Sequence, residues 1–244
     1  MFSMQSSNPV LKSDSFKTAR SQDGNVMTVG GAVNKTGLLL LITTLSAVYA
    51  WQSLEYSRGI WIAALIGSLV LGFITYSKPS IAHITAPLYA ALEGVFLGSL
   101  SAMAEGLFPG IVANAIVLTF GILTVMLSAY KSGYIRATPR LQRMIGFGLM
   151  AYFVLAMVHI VSGLFGGGFP SLFHYGPIAI GISVLVVGLA SFSLVMDFDE
   201  IESGARNQLP KQHEWLAAFG LMVTLVWLYF EILRLLIILN SSRD

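Results

Sequence analysis

MIGFGLMAYFVLAMVHIVSGLFGGGFPSLFHYGPIAIGISVLVVGLASFSLVM, residues 144–196, runs without a single Asp, Glu, Lys or Arg. The hydrocarbon core of a bilayer is crossed by about 20 apolar residues in a helix, so this stretch is long enough for two crossings. It divides at GGGFPSLFHYGP (Gly166–Pro177), where Gly and Pro break helices. Outward from this pair the same pattern recurs. The spans read as Gly37–Trp51, Ile60–Tyr76, Ile84–Ala104, Ile111–Tyr130, Met144–Phe165, Tyr175–Met196 and Trp215–Asn240.

Composition agrees. Hydrophobic residues make up 55% of the chain and charged residues only 11%, against about 25% charged in a soluble domain. Too little polar surface exists to cover a globule in water. Because lipid cannot hydrogen-bond unpaired backbone groups, every span should be helical. The expected fold is therefore all-α: a polytopic membrane protein, a seven-transmembrane-helix bundle over 37–244 behind a polar cytoplasmic N-terminal tail at 1–36. A cleavable leader ending at Val48-Tyr49-Ala50 is disfavoured, since the polar lead is too long for an ordinary n-region. With 244 residues and seven spans, no room remains for a soluble catalytic domain. The absence of cysteine excludes disulfides, thiolate metal sites and a Cys nucleophile.

Orientation follows from Lys and Arg, which stay on the cytoplasmic side. With the N-terminus inside, Lys12, Lys17, Arg20, Lys35, Lys78, Lys131, Arg136, Arg140, Arg143, Arg206 and Lys211 are cytoplasmic; Arg58 and Arg243 are outside. This bias of 11 to 2 predicts a cytoplasmic N-terminus and an external C-terminus. Trp51, Trp61 and Trp215 fall near span ends, as interfacial anchors do.

Ionisable residues within spans are expensive and tend to mark ion or proton paths. Glu93 lies near the middle of the third span beside Ala90, Gly94, Gly98 and Ala102, a small-residue stripe suited to close helix packing. The sixth span ends in Met196-Asp197-Phe198-Asp199-Glu200-Ile201-Glu202, at a helix C-terminus whose dipole disfavours negative charge. Asp197 and Glu200 share a face there and are the candidate calcium ligands, calcium being a hard cation that takes oxygen donors. Asp199 and Glu202 read as a solvated rim. In the seventh span Thr224 and Glu231 lie on one face and could line a path, or Glu231 pairs with Arg234 three residues on. Signs of an enzyme are missing. His213-Glu214 starts an HExxH motif that fails at Ala217, Gly98-Ser99-Leu100-Ser101-Ala102 lacks the last Gly of GxSxG, and His83, His159 and His174 have no ligand spacing.

The seven-span layout, the acidic end of span six and the Gly-Leu start of span seven resemble the Bax-inhibitor family, also called the transmembrane BAX-inhibitor-motif proteins, in its bacterial branch with an extended N-terminal tail. The likeness covers roughly Met27 to Leu239, and SSNPVLKSDSF in the tail fits that branch. The family's Asp with Ile four residues later matches Asp197 and Ile201. Its Gly-Leu-x-Leu-Asp with a following Arg matches Gly220, Leu221 and Arg234, but Thr224 stands where the second Asp is expected. A two-carboxylate pH latch therefore lacks one member, with Glu231 as the alternative substitute. The resemblance implies a pH-sensitive cation leak, calcium foremost, in the bacterial inner membrane. Asp197 would guard the inner mouth, Glu93 lie midway and Glu231 near the outer end. The chain is expected to work as a monomer in the lipid bilayer without cofactor or nucleic acid, and the resemblance adds a membrane protease as a candidate partner. The rival expectation is a non-conducting interaction protein.

Overall fold

The computed structural model describes residues 25–53, 58–164 and 177–242. Most of the polar tail, the GGGFPSLFHYGP break up to Gly176, the side chain of His159 and both C-terminal residues, Arg243 and Asp244, lie outside that set. Seven helices follow in order among the described residues: α1 (Val29–Ser53), α2 (Arg58–Ser77), α3 (Ala82–Leu107), α4 (Ile111–Lys131), α5 (Pro139–Leu164), α6 (Pro177–Arg206) and α7 (His213–Ser241), with one 3-10 turn, Pro79–Ile81. Helices α1 to α4, α6 and α7 are long and apolar enough to cross a membrane. The chain is a multi-pass helical membrane protein.

Five of the expected spans fall wholly inside one helix, while Phe165 of the fifth and Tyr175 and Gly176 of the sixth lie outside the described residues; the other differences are at the ends. Helix α1 begins at Val29 rather than Gly37. The polar residues there read as tail, yet Thr28 accepts the Gly31 amide through its hydroxyl at 2.9 Å, as an N-cap does. Helix α6 continues past Met196 through the acid run to Arg206. Short connections reverse the chain direction, so Lys35, Lys78, Lys131, Arg206 and Lys211 all lie at one end of the bundle, called the basic end.

Helix α7 is the hub and packs on α1, α3, α4 and α6. Its Leu225, Leu228, Ile232 and Leu233 join Ala115 of α4 and Leu194, Val195 and Phe198 of α6 in one apolar cluster. Met222 and Phe219 join Leu39 of α1 and Ala86, Tyr89 and Ala90 of α3 in a second. Leu69, Val70, Phe73 and Tyr76 of α2 point outward instead, a face suited to lipid. Helices α1 and α3 approach closely at the small stripe. A Cβ on Gly94 would collide with the Thr43 carbonyl, and one on Gly98 with the Ala47 carbonyl.

At the basic end, the segment before α1 is clasped to the α6–α7 connection. Met27 N donates to Leu209 O at 2.7 Å and Lys211 N to Asn25 O at 3.0 Å. Met27 is buried against Gly204.

Candidate functional site

Helix α7 carries a polar stripe at alternating three- and four-residue spacing, Thr224, Trp227, Glu231 and Arg234, which places all four on one side of the helix. This stripe meets α6 and α5. At its inner part Asp197 of α6 hydrogen-bonds with the Thr224 side chain. Gly220, one turn before Thr224, keeps the α7 backbone near: a Cβ there would stand 4.0 Å from Asp197 Oδ1. The other oxygen, Oδ2, is buried with no hydrogen-bond partner among the described residues.

The Thr224 hydroxyl also reaches its own helix, donating to Gly220 O at 3.2 Å. A hydroxyl has one proton and two acceptor positions. With Asp197 protonated, the carboxyl can donate to Thr224 Oγ1 while the hydroxyl proton stays on Gly220. With Asp197 ionised, the hydroxyl must turn toward the carboxylate to satisfy it. The pair can thus take two discrete hydrogen-bonding states.

Glu200, one turn beyond Asp197, is exposed and acts on it as a like charge. Asp199 and Glu202, expected as a solvated rim, are half-buried and exposed respectively, and they also reach α4. The Tyr130 hydroxyl donates to Glu202 at 2.6 Å and stands 3.4 Å from Asp199, while Arg206 pairs with Glu202 at 3.0 Å. No cluster of three or more His, Cys, Asp or Glu side chains suited to a metal occurs among the described residues.

Further along the stripe Glu231 is fully buried. Tyr152 of α5 donates to its Oε1 at 2.5 Å and Trp227 Nε1 to the same atom at 3.3 Å. Arg234 forms the expected ion pair, 3.1 Å from Oε2, and its guanidinium also donates to Ser183 of α6 at 3.2 Å. Glu231 is thereby committed to three neighbours about 10 Å along the helix from Thr224, at 1.5 Å per residue. It does not supply the carboxylate missing opposite Asp197. Glu93 is separate: it is buried on α3, and its hydrogen-bonding groups are Ser68 of α2 and Tyr89 of its own helix. The structure joins Asp197 to Thr224 and Glu231 to Arg234, and places Glu93 with neither.

Two features escaped the sequence. Glu214, dismissed with the failed HExxH, is buried and ion-paired with Lys35 of α1, and accepts the amide and hydroxyl of Thr28 at 2.9 and 3.0 Å. Lys35 also stands over the Trp215 ring. Nothing local signals a pair 179 residues apart. The Trp227–Glu231 contact was findable, being one helical turn.

A model of the Bax inhibitor 1 like family matches residues 8–241, nearly the whole chain. The chain belongs to the Bax inhibitor 1 like family. No curated protein and no solved structure matches it. Among this family's residues named above, Asp197, Ile201, Gly220, Leu221 and Arg234 all lie on the adjoining helices α6 and α7, so the resemblance in sequence marks one place in the fold.

Proposed function

We propose that this Bax inhibitor 1 like protein is a pH-sensitive cation leak, with calcium as the main ion, in a bacterial inner membrane. All seven helices, α5 included, cross the bilayer, with the N-terminus cytoplasmic and the C-terminus external as the 11-to-2 distribution of Lys and Arg requires. It works as a monomer, without cofactor, catalysis or nucleic acid. The observation that carries this reading is Asp197, a carboxylate at the α6–α7 seam beside Thr224, with Oδ2 buried and without a hydrogen-bond partner among the described residues. An ionised carboxylate there draws a cation from the acidic inner rim, and a protonated one does not. Asp197 and Glu200 supply too few oxygens for the six to eight that calcium takes when held firmly, which suits a passing ion better than a resident one.

The test is calcium entry into liposomes holding the purified protein alone, followed across pH. Flux should rise toward alkaline pH. Asp197→Asn should lose most of that dependence while Asp199→Asn keeps it. Thr224→Asp, which restores two facing carboxylates, should move the response along the pH axis. An Asp197→Asn variant with the full pH response refutes the gate.

One observation favours a second reading, a non-conducting interaction protein. The outer half of the polar stripe is held by Tyr152, Trp227 and Arg234 around Glu231, so its carboxylate is committed to the protein and not to a passing ion. On that reading the N-terminal tail and basic loops engage a membrane protease, and the parent protein moves no calcium at any pH.

A further inference from the structure

On the side of α7 that looks toward α1, α3 and α4 lies a cavity of about 460 Å³. It runs from Leu40 to Gln52 along α1, twelve residues or about 18 Å of helix. One leaflet of a bilayer contributes half of a hydrocarbon core about 30 Å thick, so the cavity is about as long as one leaflet. Its outer end is the C-terminus of α1, opposite the basic end, where Trp51 and Gln52 stand at the rim. Val48, Ile116 and Phe120 line it and are also exposed on the surface of the bundle, so it opens sideways where lipid lies.

The hydroxyls on its wall are already hydrogen-bonded within the protein. Thr43 donates to Leu39 O at 3.0 Å, Thr44 to Leu40 O at 2.8 Å and Thr119 to Ala115 O at 2.7 Å. Ser101 and Tyr229 bond each other across α3 and α7 at 2.6 Å. The polar side chains at the rim are those of Trp51 and Gln52. A polar ligand would meet groups already bonded to the protein and lose its own hydration without replacement. An apolar chain loses nothing by entering, and a lipid beside the opening is present at the highest concentration of any molecule that could fill it.

We propose that this groove between α1, α3, α4 and α7 is a binding site for one acyl chain of a membrane phospholipid, with the headgroup held at the Trp51–Gln52 rim. The chain enters from the leaflet at that end and lies along α1. The site is independent of the Asp197 seam, which lies on the other side of α7, and stands whether or not the protein conducts ions.

The full chain is reconstituted in phosphatidylcholine vesicles carrying a trace of phosphatidylcholine with a diazirine in its acyl chain, irradiated, digested and mapped by mass spectrometry. Labels should concentrate on the groove-facing residues of α1 and α4 and exceed those on Leu69 and Phe73 of α2, which are at least as exposed. Thr44→Phe and Ile116→Trp fill the groove from exposed positions that need no core repacking. With the volume filled no chain can enter, and groove labelling should fall to the level of the lipid-facing residues of α2. Labelling of α2 stays the same and serves as the control for folding. Equal labelling of α1, α2 and α4 in the parent, which needs no variant to read, means annular contact only and overturns the proposal. Groove labelling that survives both substitutions does the same.

Discussion

Replacing Gly98 by Ala adds one carbon at the point where α3 lies closest to α1. That carbon would sit 2.6 Å from Ala47 Cα and 2.8 Å from its carbonyl carbon, whereas carbon atoms rest at about 3.5–4.0 Å. The obstacle is backbone, so no side-chain rotation relieves it and the helices must separate by about 1 Å. Overpacking of this kind costs about 1–3 kcal/mol, against which Ala in place of Gly returns about 1 kcal/mol of helix propensity. Gly121 supplies the counterpart: nothing lies within 4 Å of its would-be Cβ, so Gly121→Ala keeps the propensity gain alone. One kcal/mol moves Tm by about 2–4 °C in a chain of this size. Thermal unfolding in detergent should therefore show Gly98→Ala below the parent by a few degrees, Gly94→Ala likewise, and Gly121→Ala at or above it. If Gly98→Ala and Gly121→Ala melt together, α1 and α3 do not touch as described and the hub around α7 is wrongly assembled.

Other expectations follow from single contacts. Glu214→Gln leaves Lys35, itself 17% exposed, without its counter-charge, and should cost about 3 kcal/mol, the low end for breaking a buried pair; the Lys35→Met, Glu214→Gln double variant should recover part of it in a melting cycle. Arg234→Ala strands the fully buried Glu231 and should cost about 3–5 kcal/mol, while Tyr152→Phe removes one hydrogen bond, about 1 kcal/mol in a membrane bundle; equal melting points for the two would deny the ion pair its weight. A reporter after Lys12 or between Arg136 and Arg140 should score cytoplasmic and one after Asp244 external, and a cytoplasmic C-terminus would remove one crossing.

What was legible in the sequence is what a short window contains. Apolar length located the helices, because lipid admits little else. The four-residue spacing of Gly94 and Gly98 announced a close contact without naming α1 as the partner. Glu231 with Arg234 was readable because three residues bring them to one face. The start of α1 was not: Asn34, Lys35 and Thr36 are polar, and only Glu214, brought back by the fold, makes Lys35 acceptable in a helix that packs inside the bundle. The acid run was readable in part: Asp199 and Glu202 are open to solvent as a rim is, and what no window shows is Tyr130, arriving from α4 to bond them.

Helix α7 also shows why its two faces can serve different solvents. Leu225, Val226 and Tyr229 line the apolar groove, while Thr224, Trp227, Glu231 and Arg234 form the polar seam, and these positions interleave with a shift of one or two residues. Rotation by about 100° per residue separates the sets onto different sides of one helix. The groove-side hydroxyls named above are bonded within the protein, whereas on the seam side Asp197 Oδ2 and Arg234 Nε are buried with no hydrogen-bond partner among the described residues, and Glu231 Oε2 meets the Arg234 guanidinium as an ion pair without a hydrogen bond. Unpaired buried polar atoms cost free energy that a well-packed structural seam would avoid. On the function proposed above, it is this seam, and not the groove, that offers an ion, a proton or water something to bind.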